Sequence, residues 1–144
     1  MKMLAIVRVR GNVGVRKEIE DTMQMLHLKT VNNCVVVPET PSYMGMIKKI
    51  KDYVAWGEID KEIFKWMLKK WGRKGRKRLE PDFDVDKFTE EFFEGKATFK
   101  DYGINPVFRL HPPRKGYKSI KKPYPKGALG YWGEQINELI KRMI

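Results

Sequence analysis

The chain has 144 residues, enough for one domain with its own core, and an apolar fraction of 42% that argues against intrinsic disorder. A net charge of +12 implies a polyanionic partner, either nucleic acid or an anionic membrane surface. One cysteine, Cys34, excludes an internal disulfide framework and a cysteine-built zinc site.

In chain order, "MLAIVRVRG" places Ala5, Val7 and Val9 at period two with Arg8 and Arg10 on the other side, which predicts a half-buried strand ending at Gly11. "VRKEIEDTMQMLHL" follows as a helix with Val15, Ile19, Met23 and Leu26 on one stripe. "NNCVVVPE" is β-branched and closes at Pro38, and Cys34 within it is expected to be a small buried hydrophobe. "TPSYMGMIKKIKDYV" opens with Thr40 as N-cap and Pro41 at the first helical position, with Tyr43, Ile47, Ile50 and Val54 apolar. "VAWGEI" supplies a third strand. This β-α-β-α-β order predicts an α+β, ferredoxin-like core over residues 1–59.

Residues 60–144 are expected to pack on that core as a helical insert and a basic extension ending in a helix. "DKEIFKWMLKKWG" reads as an amphipathic helix capped by Asp60, with Ile63, Phe64, Met67 and Trp71 inward and Gly72 as its stop. A basic loop, 73–78, comes next. "DVDKFTEEFFEG" is a second helix, with Val85, Phe88 and Phe92 apolar and Gly95 as stop. "NPVFRLHPP" is strand-like, and "GEQINELIKRMI" closes the chain as a helix with Ile136, Leu139, Ile140 and Met143 inward. The apolar run after Met3 is broken at Arg8, too early for a signal peptide, and no stretch approaches the ~20 apolar residues of a membrane span. The expectation is a cytoplasmic protein without a membrane role.

Charge is segregated. Lys69 to Arg78 holds seven cations and no acid, residues 80–101 sum to −5, and residues 102–133 return to +7. Two basic patches flanking an acidic block imply one face that meets a polyanion and another that avoids it. In 109–133, Arg109, Arg114, Lys115, Lys118, Lys121, Lys122 and Lys126 recur every few residues, a spacing suited to tracking phosphates. Tyr117 and Tyr124 interleave as rings able to stack or wedge against bases, and His111 suits stacking or phosphate contact. Tyr131 and Trp132 either stack on bases or pin the extension to the core. Arg8, Arg10, Arg16, Lys17, Lys48, Lys49 and Lys51 are core-side candidates, and Arg73, Lys74, Arg76, Lys77 and Arg78 form a second basic point. Irregular basic segments of this kind fit folded RNA, recognised by shape and unstacked bases. No strand carries the aromatic pattern of an RNA-recognition domain.

Catalysis is poorly supplied. His27 and His111 are isolated, so no metal or cofactor is expected, and the carboxylates lie on helix exteriors. "GNVG" lacks the context of a nucleotide-binding loop but provides a glycine turn before a helix beside Arg10 and Arg16. A small phosphate-handling enzyme using "GNVG" and His111 stands as an alternative.

Three stretches, "IVRVRGNVGVRKEIEDTMQMLHL", "VNNCVVVPETPSYMGMIKKIKDYVAWGEID" and "FRLHPPRKGYKSIKKPYPKGALGYWGEQINELIKRMI", carry a resemblance over nearly the whole chain. They resemble the large-subunit ribosomal protein L-thirty family in its long archaeal form, similar to eukaryotic L-seven. Leu26, His27 and Leu28, then Asn33 to Val35, Thr40 and Pro41, Met46, Ile47, Ile50, Tyr53 and Val54 follow the family's core pattern. "RLHPPRKGYK" and "KGALGYWGEQINELI" follow its long form. Thr30 departs from it, standing beside Lys29 where relatives usually carry a basic residue. The resemblance implies a core lodged in large-subunit rRNA, an extension reaching further rRNA near the 5S species, neighbouring ribosomal proteins as partners, and no catalysis; a non-ribosomal RNA-binding protein stands as the alternative.

Overall fold

The computed structural model describes residues 3–11, 14–78, 82–114, 116, 124 and 127–144. Its centre is a five-stranded sheet built around β1 (Met3–Arg8). β1 pairs antiparallel with β2 (Asn33–Pro38) on one side and with β3 (Val54–Glu58) on the other. Two strands from the second half of the chain complete the edges: β6 (Val107–Arg109) runs antiparallel to β2, and β7 (Gly130–Tyr131) parallel to β3.

One face of the sheet, carrying Leu4, Ile6, Val35, Val37 and Val54, is covered by α1 (Lys17–Met25) and α2 (Pro41–Ile50) through Met23, Leu26, Leu28, Ile47 and Ile50. Thr40 caps α2, accepting a hydrogen bond from the Tyr43 amide at 3.3 Å. Val15 lies before α1 rather than on its stripe. α1 stops in a Schellman arrangement, the Leu28 amide reaching the Met23 carbonyl and the His27 amide that of Gln24, with His27 left-handed at φ 62°. His27 thus takes a backbone position that glycine usually fills.

The other face carries Met3, Ala5, Val7, Cys34, Val36 and Ala55. Here the half-buried strand expected for β1 is corrected. All six of its residues are buried, because α3 (Lys61–Trp71), α4 (Val85–Phe93) and α5 (Ile136–Met143) cover the side that residues 1–59 leave open. Cys34 is fully buried, and burial pushes its thiol up to about 12. Phe64 of α3 lies at the centre of this layer, within 6.3 Å, centroid to centroid, of the rings of Phe88, Phe92, Phe93, Phe99 and Phe108. Asp60 precedes α3, but its carboxylate makes no capping bond. Its amide instead donates to Asn137 Oδ1 at 2.9 Å, while Asn137 Nδ2 donates to the carbonyls of Glu58 and Glu134. One buried amide thereby fixes α5 against the β3–α3 junction.

The close approach of α5 needs a residue without a side chain at Gly57. A Cβ there would overlap the Gly133 carbonyl and press on Ile136 at 3.0 Å. Gly57→Ala is expected to cost about 3 kcal/mol in urea denaturation, since backbone cannot yield to an added methyl. Gly45, on α2 with open space around its Cβ position, is the control. Gly45→Ala should gain up to about 1 kcal/mol from helix propensity.

Candidate nucleic-acid interface

Strand register gives the sheet a charged end and a countercharged end. Val7 lies opposite Cys34, Arg8 opposite Val54 and Asn33 opposite Arg109, so the end of β1, the starts of β2 and β3, and the end of β6 meet. Arg10, Arg16 and Lys17 follow β1, Lys48, Lys49 and Lys51 precede β3, and Arg109, His111 and Arg114 close β6. At the opposite end, Met3 faces Pro38 and Leu4 faces Glu58, so Glu39, Glu58 and Asp60 gather there, with Glu134 against Glu58 and Asp60.

The cations at the first end are available. Arg16, Lys17, Lys48, Lys49, Lys51, Arg109 and Arg114 are exposed. Arg10 is half-buried, its guanidinium 5.1 Å from the centre of the Tyr53 ring. The described ion pairs engage Lys61, Lys65, Lys96 and Lys141, all outside the set selected from the sequence. Among the described residues, none of the selected cations has a carboxylate within 4.0 Å. Lys48 and Lys49 also complement the negative C-terminal end of α2, which accounts for their position but not for the convergence of the other cations.

Arg8 departs from its expected role. It is 1% exposed, and its guanidinium donates to three carbonyls: Nη1 to Leu28 at 2.6 Å and Lys29 at 3.1 Å, Nε to Arg10 at 3.0 Å. Burial pulls its pKa below the ordinary value, with Glu20 opposing. The alternation that puts Arg8 on the face opposite Val7 holds, but that face is not a solvent face: it carries Leu4 and Ile6 and is closed over Arg8 by the turn after α1. Arg8 is a positioning residue for this end of the sheet rather than a group on its surface.

The run expected as a loop at 73–78 is a hairpin, β4 (Arg73–Lys74) and β5 (Lys77–Arg78), turning at Gly75 with φ 62°. Asn105 clasps it, Nδ2 donating to the Gly75 carbonyl at 2.7 Å and Oδ1 accepting from its amide at 3.3 Å. This clasp sets the hairpin beside β6, so the second basic point adjoins the basic end of the sheet. Asn105 had no sequence signal, because its partner lies thirty residues away.

In the extension, His111 packs edge-on to Trp71 at 4.7 Å. Tyr124, expected to stack on RNA, has one ring face against Trp132 at 4.5 Å. Trp132 donates to the Ala128 carbonyl, and Tyr131 packs on Trp56 at 4.6 Å and bonds Glu58, which holds its phenol up at about 12. Tyr131 and Trp132 therefore pin the extension. Lys115, Tyr117, Lys118, Lys121, Lys122 and Lys126 lie outside the described residues. Among the described residues no three His, Cys, Asp or Glu side chains group as metal ligands, and no helix is long and apolar enough to cross a membrane.

This is the build of a scaffold with an ionic face. Comparison with known proteins gives the same class: residues 4–54 match the family described as ribosomal protein L30p/L7e. The chain is 47% identical to the large ribosomal subunit protein uL30 of Methanoculleus marisnigri, covering 98% of this chain and 99% of that one. It is 51% identical to uL30 of Methanococcus vannielii over 97% and 98% of the two chains, and 45% identical to that of Methanosphaera stadtmanae over 99% and 100%. It is a structural ribosomal protein rather than an enzyme. The chain belongs to the ribosomal protein L30p/L7e family.

Proposed function

We propose that the protein is a constituent of the large ribosomal subunit in the cytoplasm, where it binds and stabilises folded large-subunit rRNA close to the 5S species. Residues 1–59 supply the rRNA-binding core, and residues 60–144 brace it and extend its reach. The observation that carries this reading is the end of the sheet set by the strand register, where the selected cations have no described ion-pair partner and outnumber Glu18, Glu20 and Asp52, while Glu39, Glu58, Asp60 and Glu134 gather at the other end. A phosphate backbone is attracted to the first and repelled by the second, so the charge pattern orients the protein as well as binding it. The acidic end then faces solvent or neighbouring ribosomal proteins. Lys115, Lys118, Lys121, Lys122 and Lys126 extend the phosphate contacts beyond the core, and Tyr117 and Tyr124 stack or wedge against bases.

Salt dependence tests this. Each phosphate neutralised contributes about 0.7–0.9 to the slope of log K against log salt. Lys48→Ala, Lys49→Ala and Lys51→Ala together should lower that slope by about 2 on a large-subunit rRNA transcript. Lys61→Ala with Lys96→Ala, on lysines already paired to Glu90 and Glu94, should leave it unchanged. Equal slopes for all three proteins would remove the core from the RNA interface. Co-sedimentation of the wild type with the large subunit at high salt tests the assembly itself.

A further inference from the structure

Between the clasped hairpin and the edge of the sheet lies a cavity of about 480 Å³, lined by Trp71, Arg73, Gly75, Arg76, Asn105, Val107 and Arg109. Its size falls within the range of small-ligand sites, about 300–1,000 Å³, and is ample for more than a bare phosphate. Three arginines and no carboxylate line it, which selects an anion. Trp71 and Val107 give it an apolar wall, which a bare anion does not need. The indole Nε1 of Trp71 is buried without an acceptor among the described residues.

The walls are set in advance. Arg73 Nη1 is held by the carbonyls of Gly72 at 2.9 Å and Lys70 at 3.2 Å, with its guanidinium 5.8 Å from the centre of the Trp71 ring. Asn105 spends its amide on Gly75 and so fixes the hairpin that carries Arg76. Arg76 and Arg109 are exposed and unpaired by any described carboxylate, and their guanidinium forks match phosphate geometry.

We infer that this cavity receives one unstacked nucleotide of the bound RNA, its phosphate between Arg76 and Arg109 and its base against the Trp71 and Val107 wall. The inference rests on the rRNA-binding reading and adds to it a site for a single extruded residue. Folded RNA is recognised largely through such splayed bases, whereas a duplex offers none. The cavity is therefore a point at which the protein senses local RNA fold rather than charge alone.

The test is chemical probing of a large-subunit rRNA transcript, free and saturated with the full chain, using a 2′-hydroxyl acylating reagent and dimethyl sulfate. With the wild type, one nucleotide inside the footprint should change from stacked to unstacked reactivity. Arg76→Ala with Arg109→Ala, both exposed side chains, should weaken binding at least tenfold and, at saturation, lose that one signature while keeping the rest of the footprint. Trp71→Ala, which removes the apolar wall, should weaken the same signature. A signature unchanged in all variants overturns the nucleotide site and leaves the rRNA reading standing. A wild type with no footprint anywhere on the transcript overturns both.

Discussion

Phe64→Ala should lose about 3–5 kcal/mol of stability, a large part of the roughly 5–15 kcal/mol that holds a domain of this size. Phe64 is fully buried, and the ring it presents to α4 and β6 is the one shared neighbour of Phe88, Phe92, Phe93, Phe99 and Phe108. Its closest partner is Phe92, stacked at 5.2 Å and 3°. Removing it opens a cavity that surrounding aromatics, rigid and mutually stacked, fill only in part. The thermal midpoint should fall on the order of 10 °C. Phe64→Leu, which retains most of the volume, should lose less than half as much. Because Trp71 closes the same helix, the Ala variant should also weaken the hairpin cavity, seen as a loss of the RNA signature assigned to it. A loss below about 1 kcal/mol would mean that the ring cluster does not anchor residues 60–144 to the sheet.

Arg8→Met should destabilise by about 3 kcal/mol without changing the salt slope of RNA binding. The substitution keeps an apolar stem but leaves the carbonyls of Leu28, Lys29 and Arg10 without their shared donor in a closed site. Arg8→Lys should restore little, because a single ammonium cannot hold the guanidinium's spread of donors. The two roles for Arg8 give opposite signatures. If Arg8 held a phosphate, its removal would lower the slope by about 0.7–0.9 and leave stability within about 0.5 kcal/mol. Measured at a temperature where the variant is folded, an altered slope with unchanged stability would return Arg8 to the RNA surface.

The arrangement of the first sixty residues was legible because each element is set by its own neighbours. Alternation in "LAIVRV" specifies a strand, and Thr40 and Pro41 specify a helix start. Beyond them, Gly95 likewise sits left-handed at φ 78° where the sequence stops α4. The segregation of charge into two basic runs and an acidic block was likewise complete in the sequence. Tertiary structure decided what those elements meet. Period two says that Arg8 and Val7 point to opposite faces, but not that both faces are covered; α1, α2 and their turn close one, α3 to α5 the other. The hairpin at 73–78 depends on Asn105, and β7 on two backbone rungs with Ala55 and Trp56, contacts that leave no periodic trace. Side-chain pattern records which face of an element is apolar, a property of nearby residues. Which distant segment covers that face, and so whether an arginine becomes surface or core, is settled by shape and hydrogen bonding once the chain has collapsed.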